Sequence, residues 1–179
     1  MRLYELPTRP PLGERECTTE LARLLETSPR IAILLNSIAA LNKGALRRGI
    51  TCRSCAGTQQ QTRMGYYDGN YKRVVICCEN IRSREDLEET VIHELVHAFD
   101  ATRKGKFNSI CHLIACGEVR ASALAQCVNI KSKDKKRECI LRDAIRSTQQ
   151  HCGSAAEAIV REVYEGCLKD YAPFSSNAS

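Results

Sequence analysis

Several features are scarce in this chain of 179 residues, and each scarcity narrows the reading. Apolar runs are short. The longest, residues 31 to 41, is interrupted by Asn36 and Ser37, whereas a bilayer-crossing helix needs about 20 predominantly apolar residues. No glycine-rich phosphate loop, internal repeat or nucleic-acid-binding motif occurs, so no nucleic-acid partner is expected. Residues 1 to 16 contain no apolar stretch, are broken by Pro7, Pro10 and Pro11, and mix Arg2, Arg9 and Arg15 with Glu5, Glu14 and Glu16. They are expected to be neither a secretory signal nor a transit peptide. Tryptophan is absent, aromatic residues make up 5% of the chain, and there are four histidines. The net charge of +6 permits an acidic partner or an anionic membrane surface without requiring either.

Cysteine is abundant by contrast, with eleven residues at 17, 52, 55, 77, 78, 111, 116, 127, 139, 152 and 167. Their wide spread fits a disulfide framework better than a compact metal cluster, and the odd number leaves at least one thiol without an intramolecular partner. Cys52-Arg53-Ser54-Cys55 is a C-x-x-C, but the only matching pair, Cys77-Cys78, is adjacent and fits a zinc ribbon poorly. A cysteine nucleophile working with His112 or His151 has no supporting signature. A cysteine-rich chain with no export signal suits a compartment in which oxidation traps the imported protein, such as the mitochondrial intermembrane space.

Two of the four histidines fall in His93-Glu94-Leu95-Val96-His97, an H-E-x-x-H pattern. Four helical residues advance about 400°, so both imidazoles leave one face of a helix and can meet on one tetrahedral ion. Glu94, beside them, has the chemistry of a general base toward a water whose pKa zinc lowers to about 7. Ser83-Arg84-Glu85-Asp86 has the form of a capping box, and Leu87, Val91, Leu95 and Phe99 follow at helical spacing, which places the motif on an amphipathic helix.

The remaining elements are read in order. A Pro-rich lead precedes a short helix over Thr18 to Glu26. Ser28-Pro29 caps a second helix running to about Asn42, whose apolar content predicts burial against the motif helix, or else a patch touching a membrane or client. Residues 49 to 80 read as β structure, with a hairpin of Thr62 to Tyr67 and Tyr71 to Cys78 around Asp68-Gly69-Asn70. An edge strand just before the motif helix is where zinc peptidases pair an extended substrate. Ala101 to Ser109 reads as a loop, and a helix from near Ile110 carries Glu118. Helices over Asp134 to Thr148 and Ser154 to Lys169 follow, the latter opened by a capping box from Ser154 to Glu157. Cys127 with Cys139, or Cys152 with Cys167, would staple this hairpin, although spacing does not fix connectivity. The basic run Lys131, Lys133, Lys135, Lys136 and Arg137 reads as a solvated helix start.

A catalytic zinc takes three protein ligands and leaves a fourth position open. Metzincins are excluded, because Asp100 and Arg103 stand where that class needs glycine and histidine. Glu118, on the following helix, is the preferred third ligand, with His112 and Cys111 as outside candidates. Asp100 is expected to accept from an imidazole N–H.

Several segments together resemble a known family, the mitochondrial inner-membrane proteases that mature and help assemble the membrane sector of ATP synthase. The resemblance rests on His93 to Asp100, on Ala115-Cys116-Gly117-Glu118-Val119-Arg120-Ala121, on Glu26-Thr27-Ser28-Pro29, on Cys52 to Gly57, and on the tail near Asp170-Tyr171-Ala172-Pro173-Phe174. It implies a protein of the intermembrane space, peripheral to the inner membrane and disulfide-stabilised, that cleaves the precursor of an ATP synthase subunit and assists assembly. One departure is that Ala101 to Ser109 has no Asp-Trp pair.

The expectation is therefore an α+β, zincin-like fold, mainly helical, with a small antiparallel sheet before the H-E-x-x-H helix. It forms one domain over residues 1 to 179, with a lead of residues 1 to 16 and a flexible tail from 170 to 179. One catalytic Zn2+ is held by His93, His97 and Glu118, with Glu94 as base. The rival readings are a non-proteolytic assembly factor with a structural zinc and, more remotely, a DNA-repair adaptor.

Overall fold

The computed structural model describes residues 9–175, which contain six α-helices and three short strands. Helix α1 (Glu14–Thr27) starts earlier than expected, because Glu14 and Glu16 in its first turn suit the positive end of the helix dipole. It buries Cys17, Leu21 and Leu24. Helix α2 (Pro29–Leu41) leaves at 78°. The Ser28 hydroxyl accepts from the Ile31 N–H at 3.4 Å and donates to Glu88 of the motif helix at 2.6 Å, so one residue both caps α2 and docks it. Ile31, Leu34 and Ile38 are buried, while Ile33 and Leu41 stay exposed, so burial holds for one face only. No single helix among the described residues is long and apolar enough to cross a membrane.

The sheet comprises β1 (Ile50–Arg53), β2 (Gly65–Asp68) and β3 (Arg73–Cys77), in the order β1-β3-β2. β2 and β3 form the expected antiparallel hairpin, but β1 pairs with β3 in parallel, Ile50 opposite Val74 and Arg53 opposite Cys77. The sheet is mixed, which corrects the expectation of an antiparallel one. The physical reason is burial: Val74, Val75, Ile76 and Cys77 are all solvent-inaccessible, so the most apolar strand takes the centre. The chain after β1 crosses over to lay down β2 at the far edge before β3 inserts.

Helix α3 (Arg84–Thr102) carries the motif. The Ser83 hydroxyl accepts from Asp86 N–H at 3.0 Å as expected, while the Asp86 carboxylate returns to the N–H of Arg82 rather than of Ser83. Leu87, Val91, Leu95 and Phe99 are buried, and so are Ile92, Val96 and Ala98, which makes α3 a central helix. Helix α4 (Ile110–Leu124) is capped by Ser109, and α5 (Lys133–Cys152) and α6 (Ala156–Leu168) pack against it. The expected capping box at Ser154 does not form. Gly153, at φ +56°, opens a tight 3₁₀ turn over residues 153 to 155, and α6 begins after it without a side-chain cap.

Five disulfides form: Cys17–Cys52, Cys55–Cys77, Cys111–Cys152, Cys116–Cys167 and Cys127–Cys139, leaving Cys78 as a buried thiol. Of the two staples considered for the α5–α6 hairpin, Cys127–Cys139 is present. Cys152 and Cys167 each bond to α4 instead of to one another, so the bridges converge on α4. Of the tail expected from 170 to 179, residues 170 to 174 are docked on the helices, while residues 176 to 179, like residues 1 to 8 of the lead, lie outside the described residues. Asp170 and Ala172 accept hydrogen bonds from Arg120, and Phe174 is buried beneath the Arg30 guanidinium, 4.8 Å from its ring centroid.

Candidate metal centre

His93 and His97 lie one turn apart on α3, with Nε2 atoms 3.1 Å from each other. Glu118 reaches them from α4: its Oε2 is 3.4 Å from His93 Nε2, and its Oε1 is 3.4 Å from His97 Nε2. Nitrogen and carboxylate donors of all three residues thus fall within 4.8 Å of one another. Three side chains brought from two helices into such a cluster, two neutral-capable nitrogens and one anion, are the donor set that a divalent ion of zinc type takes. Glu118 Oε2 is buried and has no hydrogen-bond partner in the protein, a cost that a bound cation removes.

The electrostatics agree. Burial alone would lower the His97 imidazole, but the adjacent Glu118 carboxylate outweighs it and raises His97 from 6.5 to about 9. His93 is raised for the same reason, with burial opposing and the nearby Glu118 carboxylate prevailing. Burial would raise Glu118, yet the two imidazoles hold it well below the usual carboxylate range. A carboxylate that stays ionised between two nitrogen donors competes well for a cation.

Glu94 is 8% exposed and faces the same cleft, a groove of about 1240 Å³ that opens over both histidines. Strand β2 with the residues before it, Arg63 and Met64, and α5, through Arg146, Ser147 and Gln150, both line it, and Arg63 Nη2 donates to Gln150 Oε1 at 2.9 Å. Gly65 sits where the sheet meets α3: a Cβ there would lie 2.9 Å from Thr90 Cγ2, 3.0 Å from the Val75 carbonyl oxygen and 3.3 Å from Glu94 Cγ. Only glycine lets this strand approach the helix so closely at Glu94.

Asp100 does not accept from an imidazole. Its carboxylate is taken by Arg120, whose Nε donates at 2.9 Å and Nη2 at 3.0 Å, and by Arg103 at 2.9 Å. Asp170 completes a four-charge ring by pairing with Arg103 at 2.7 Å and Arg120 at 3.0 Å. Arg120 is 2% exposed, so this ring is what satisfies a buried guanidinium beside Glu118. The imidazole partner is Gln126 instead, whose Oε1 lies 3.1 Å from His93 Nδ1. Sequence reasoning missed Gln126, because nothing in its spacing points to His93. Of the outside candidates, Cys111 is committed to its disulfide, and His112 contacts Ser109 and Glu162 rather than the centre.

The family model described as the Peptidase M76 family matches residues 15–175. The mitochondrial inner membrane protease atp23 of Schizosaccharomyces pombe is 33% identical over 175 residues, covering 89% of this chain and 91% of that protein. The human protein named mitochondrial inner membrane protease ATP23 homolog is 31% identical over 181 residues, covering 90% and 70% respectively. That of Danio rerio is 30% identical over 176 residues, covering 90% and 67%. No solved structure matches.

Proposed function

The chain belongs to the Peptidase M76 family of metallopeptidases, and from that premise we propose that it is a zinc-dependent endopeptidase of the mitochondrial intermembrane space. It sits peripherally on the inner membrane and processes the precursor of an ATP synthase membrane-sector subunit. The observation that carries the catalytic part is the meeting of His93, His97 and Glu118 around an otherwise unpartnered carboxylate oxygen, with Glu94 beside them in the cleft.

His93 and His97 through Nε2 and Glu118 through its carboxylate would hold the ion. When bound, zinc polarises the scissile carbonyl and lowers the pKa of a water to about 7. Glu94 takes the proton from the attacking water and delivers it to the leaving amine, which is the work its position next to both histidines allows. The substrate backbone pairs with β2, which lines the cleft and is an edge strand because β3 occupies only one of its sides. Thr90 and Glu94 stay packed against Gly65, holding the base close to that strand.

The compartment rests on the named relatives and on five disulfides, and the client rests on the family resemblance in Ala115 to Ala121 and in the tail. A second activity, assisting assembly without cleavage, is favoured by the exposed Phe107 and Leu113, which line the cleft and suit an apolar client there. The test combines metal analysis with hydrolysis of a subunit-precursor peptide by one oxidised preparation. One zinc per chain, with cleavage lost to a chelator and restored by zinc, is the expected result. Stoichiometric zinc with no cleavage would favour the assembly role alone.

A further inference from the structure

The environment of His93 extends beyond the three ligands. Gln126 follows α4, its Oε1 3.1 Å from His93 Nδ1, while its Nε2 lies 3.2 Å from Asp143 Oδ2 on α5 and 3.4 Å from Ser122 Oγ. A carboxylate only accepts hydrogen bonds, so the amide nitrogen of Gln126 must face Asp143 and its oxygen must face His93. That oxygen cannot donate. His93 therefore carries a proton on Nδ1, which makes Nε2, the atom that points at Glu118 and His97, the nitrogen able to take a metal.

We propose that Gln126 and Asp143 are positioning residues for the metal centre, the Asp143 carboxylate fixing the Gln126 amide and the amide fixing the ring and tautomer of His93. The relay is built into the covalent frame. Cys127 is the residue after Gln126, and its disulfide partner Cys139 lies one helical turn before Asp143, so the Cys127–Cys139 bridge places both members. Asp143 is 8% exposed, and its second oxygen accepts from Arg142 Nε at 3.1 Å, which leaves Oδ2 for the amide.

This inference rests on the reading of His93 as a metal ligand, and one experiment separates the two. Zinc affinity of the full, oxidised chain is measured by chelator competition for wild type, His93→Ala, Gln126→Met, Asp143→Asn, the double variant Gln126→Met/Asp143→Asn, and the swapped pair Gln126→Glu/Asp143→Asn. Gln126→Met keeps the shape without an acceptor and weakens binding by roughly 10–100-fold. Asp143→Asn weakens it less, and adds nothing on top of Gln126→Met, because the two act through one path. The swapped pair restores affinity, since asparagine donates to the new carboxylate and one of its oxygens still faces Nδ1. In ¹⁵N-histidine spectra of zinc-loaded protein, His93 shows a protonated Nδ1 in wild type and in the swapped pair. Affinity for Gln126→Met within twofold of wild type, or equal losses from Asp143→Asn in both backgrounds, would overturn the relay. His93→Ala binding zinc like wild type would overturn the metal-centre assignment and the relay with it.

Discussion

The two halves of the molecule that meet at the cleft are held together by different means. The half built from α1, α2, α3 and the sheet, with Ala121, Leu124 and Ala125 from α4 and the turn after it and Phe174 of the tail, has a core of twenty-three buried residues and two disulfides, which join α1 to β1 and the loop after β1 to β3. The half built from α4, α5 and α6 has a core of nine buried residues and three disulfides, each tying α4 or the turn after it to α5 or α6. Covalent bridges replace apolar burial where the layer is too thin to supply it. The division is also chemical: the first half supplies His93, His97 and Glu94, and the second supplies Glu118 and Gln126. α4 belongs to both, with Ala121 and Leu124 in the larger core and Ala115 and Val119 in the smaller one.

The comparison breaks most sharply at Glu118. Glu118→Gln removes the second half's ligand, and zinc binding and hydrolysis are expected to disappear together in metal-content and activity assays of one sample. Glu94→Gln acts on the first half alone: hydrolysis falls by about 10²-fold or more, the scale for a lost general acid–base group, while zinc content stays unchanged. Joint loss of zinc in both variants would erase the distinction.

Disulfides sharpen it next. Replacing Cys116 and Cys167 with serine is expected to cost about 2–4 kcal/mol in denaturant unfolding and to weaken zinc binding, because Cys116 lies two residues before Glu118. Replacing Cys17 and Cys52 should lower stability and leave zinc affinity intact. Equal effects on zinc would show that both halves depend on their bridges alike. Gly65→Ala probes the seam from the other side. Its Cβ collides with backbone at Val75 as well as with Thr90, so a several-fold drop in hydrolysis with zinc retained is expected.

The smallest and most graded effect is with pH. With His97 raised from 6.5 to about 9, protons compete with the metal across that interval, and zinc affinity should rise by up to tenfold per pH unit for each proton displaced, levelling above about 9. Without metal the sign reverses for stability. The contribution of His97 is fully present below 6.5 and is lost as pH rises through about 9, while that of Glu118 is present above its ordinary 4.5 and is lost as pH falls through its lowered value. Thermal unfolding of chelator-treated protein against pH checks this. Metal-free stability that climbs from pH 6.5 to 9 would contradict it.

What was legible in the sequence was local. The spacing of His93 and His97, the stripe from Leu87 to Phe99 and the serine caps at Ser28 and Ser83 each depend on a few neighbouring residues, and each is found as expected. Glu118 joins the histidines because one following helix folds back on the motif helix. Features needing three or more segments were not legible. β3 enters between strands laid down earlier, so the parallel β1–β3 pair leaves no trace in either strand. Asp100 looked free to serve an imidazole because Arg120, which takes most of its carboxylate, lies 20 positions downstream on another helix, and because the neighbouring Arg103 gave no sign of turning back to it. Gln126 meets His93 only after the turn beyond α4, and Asp143 joins them only through the Cys127–Cys139 bridge. The bridges themselves depend on which helices stack, which cysteine spacing does not encode.

The claim that both halves complete one metal centre is tested most directly by anomalous diffraction at the zinc edge from crystals of the oxidised protein. The expected result is one strong peak per chain, bonded to His93 Nε2, His97 Nε2 and a Glu118 carboxylate oxygen, with each bond at roughly 2.0–2.2 Å. A peak bonded to the histidines with Glu118 well outside that range, or a peak elsewhere in the chain, would contradict it.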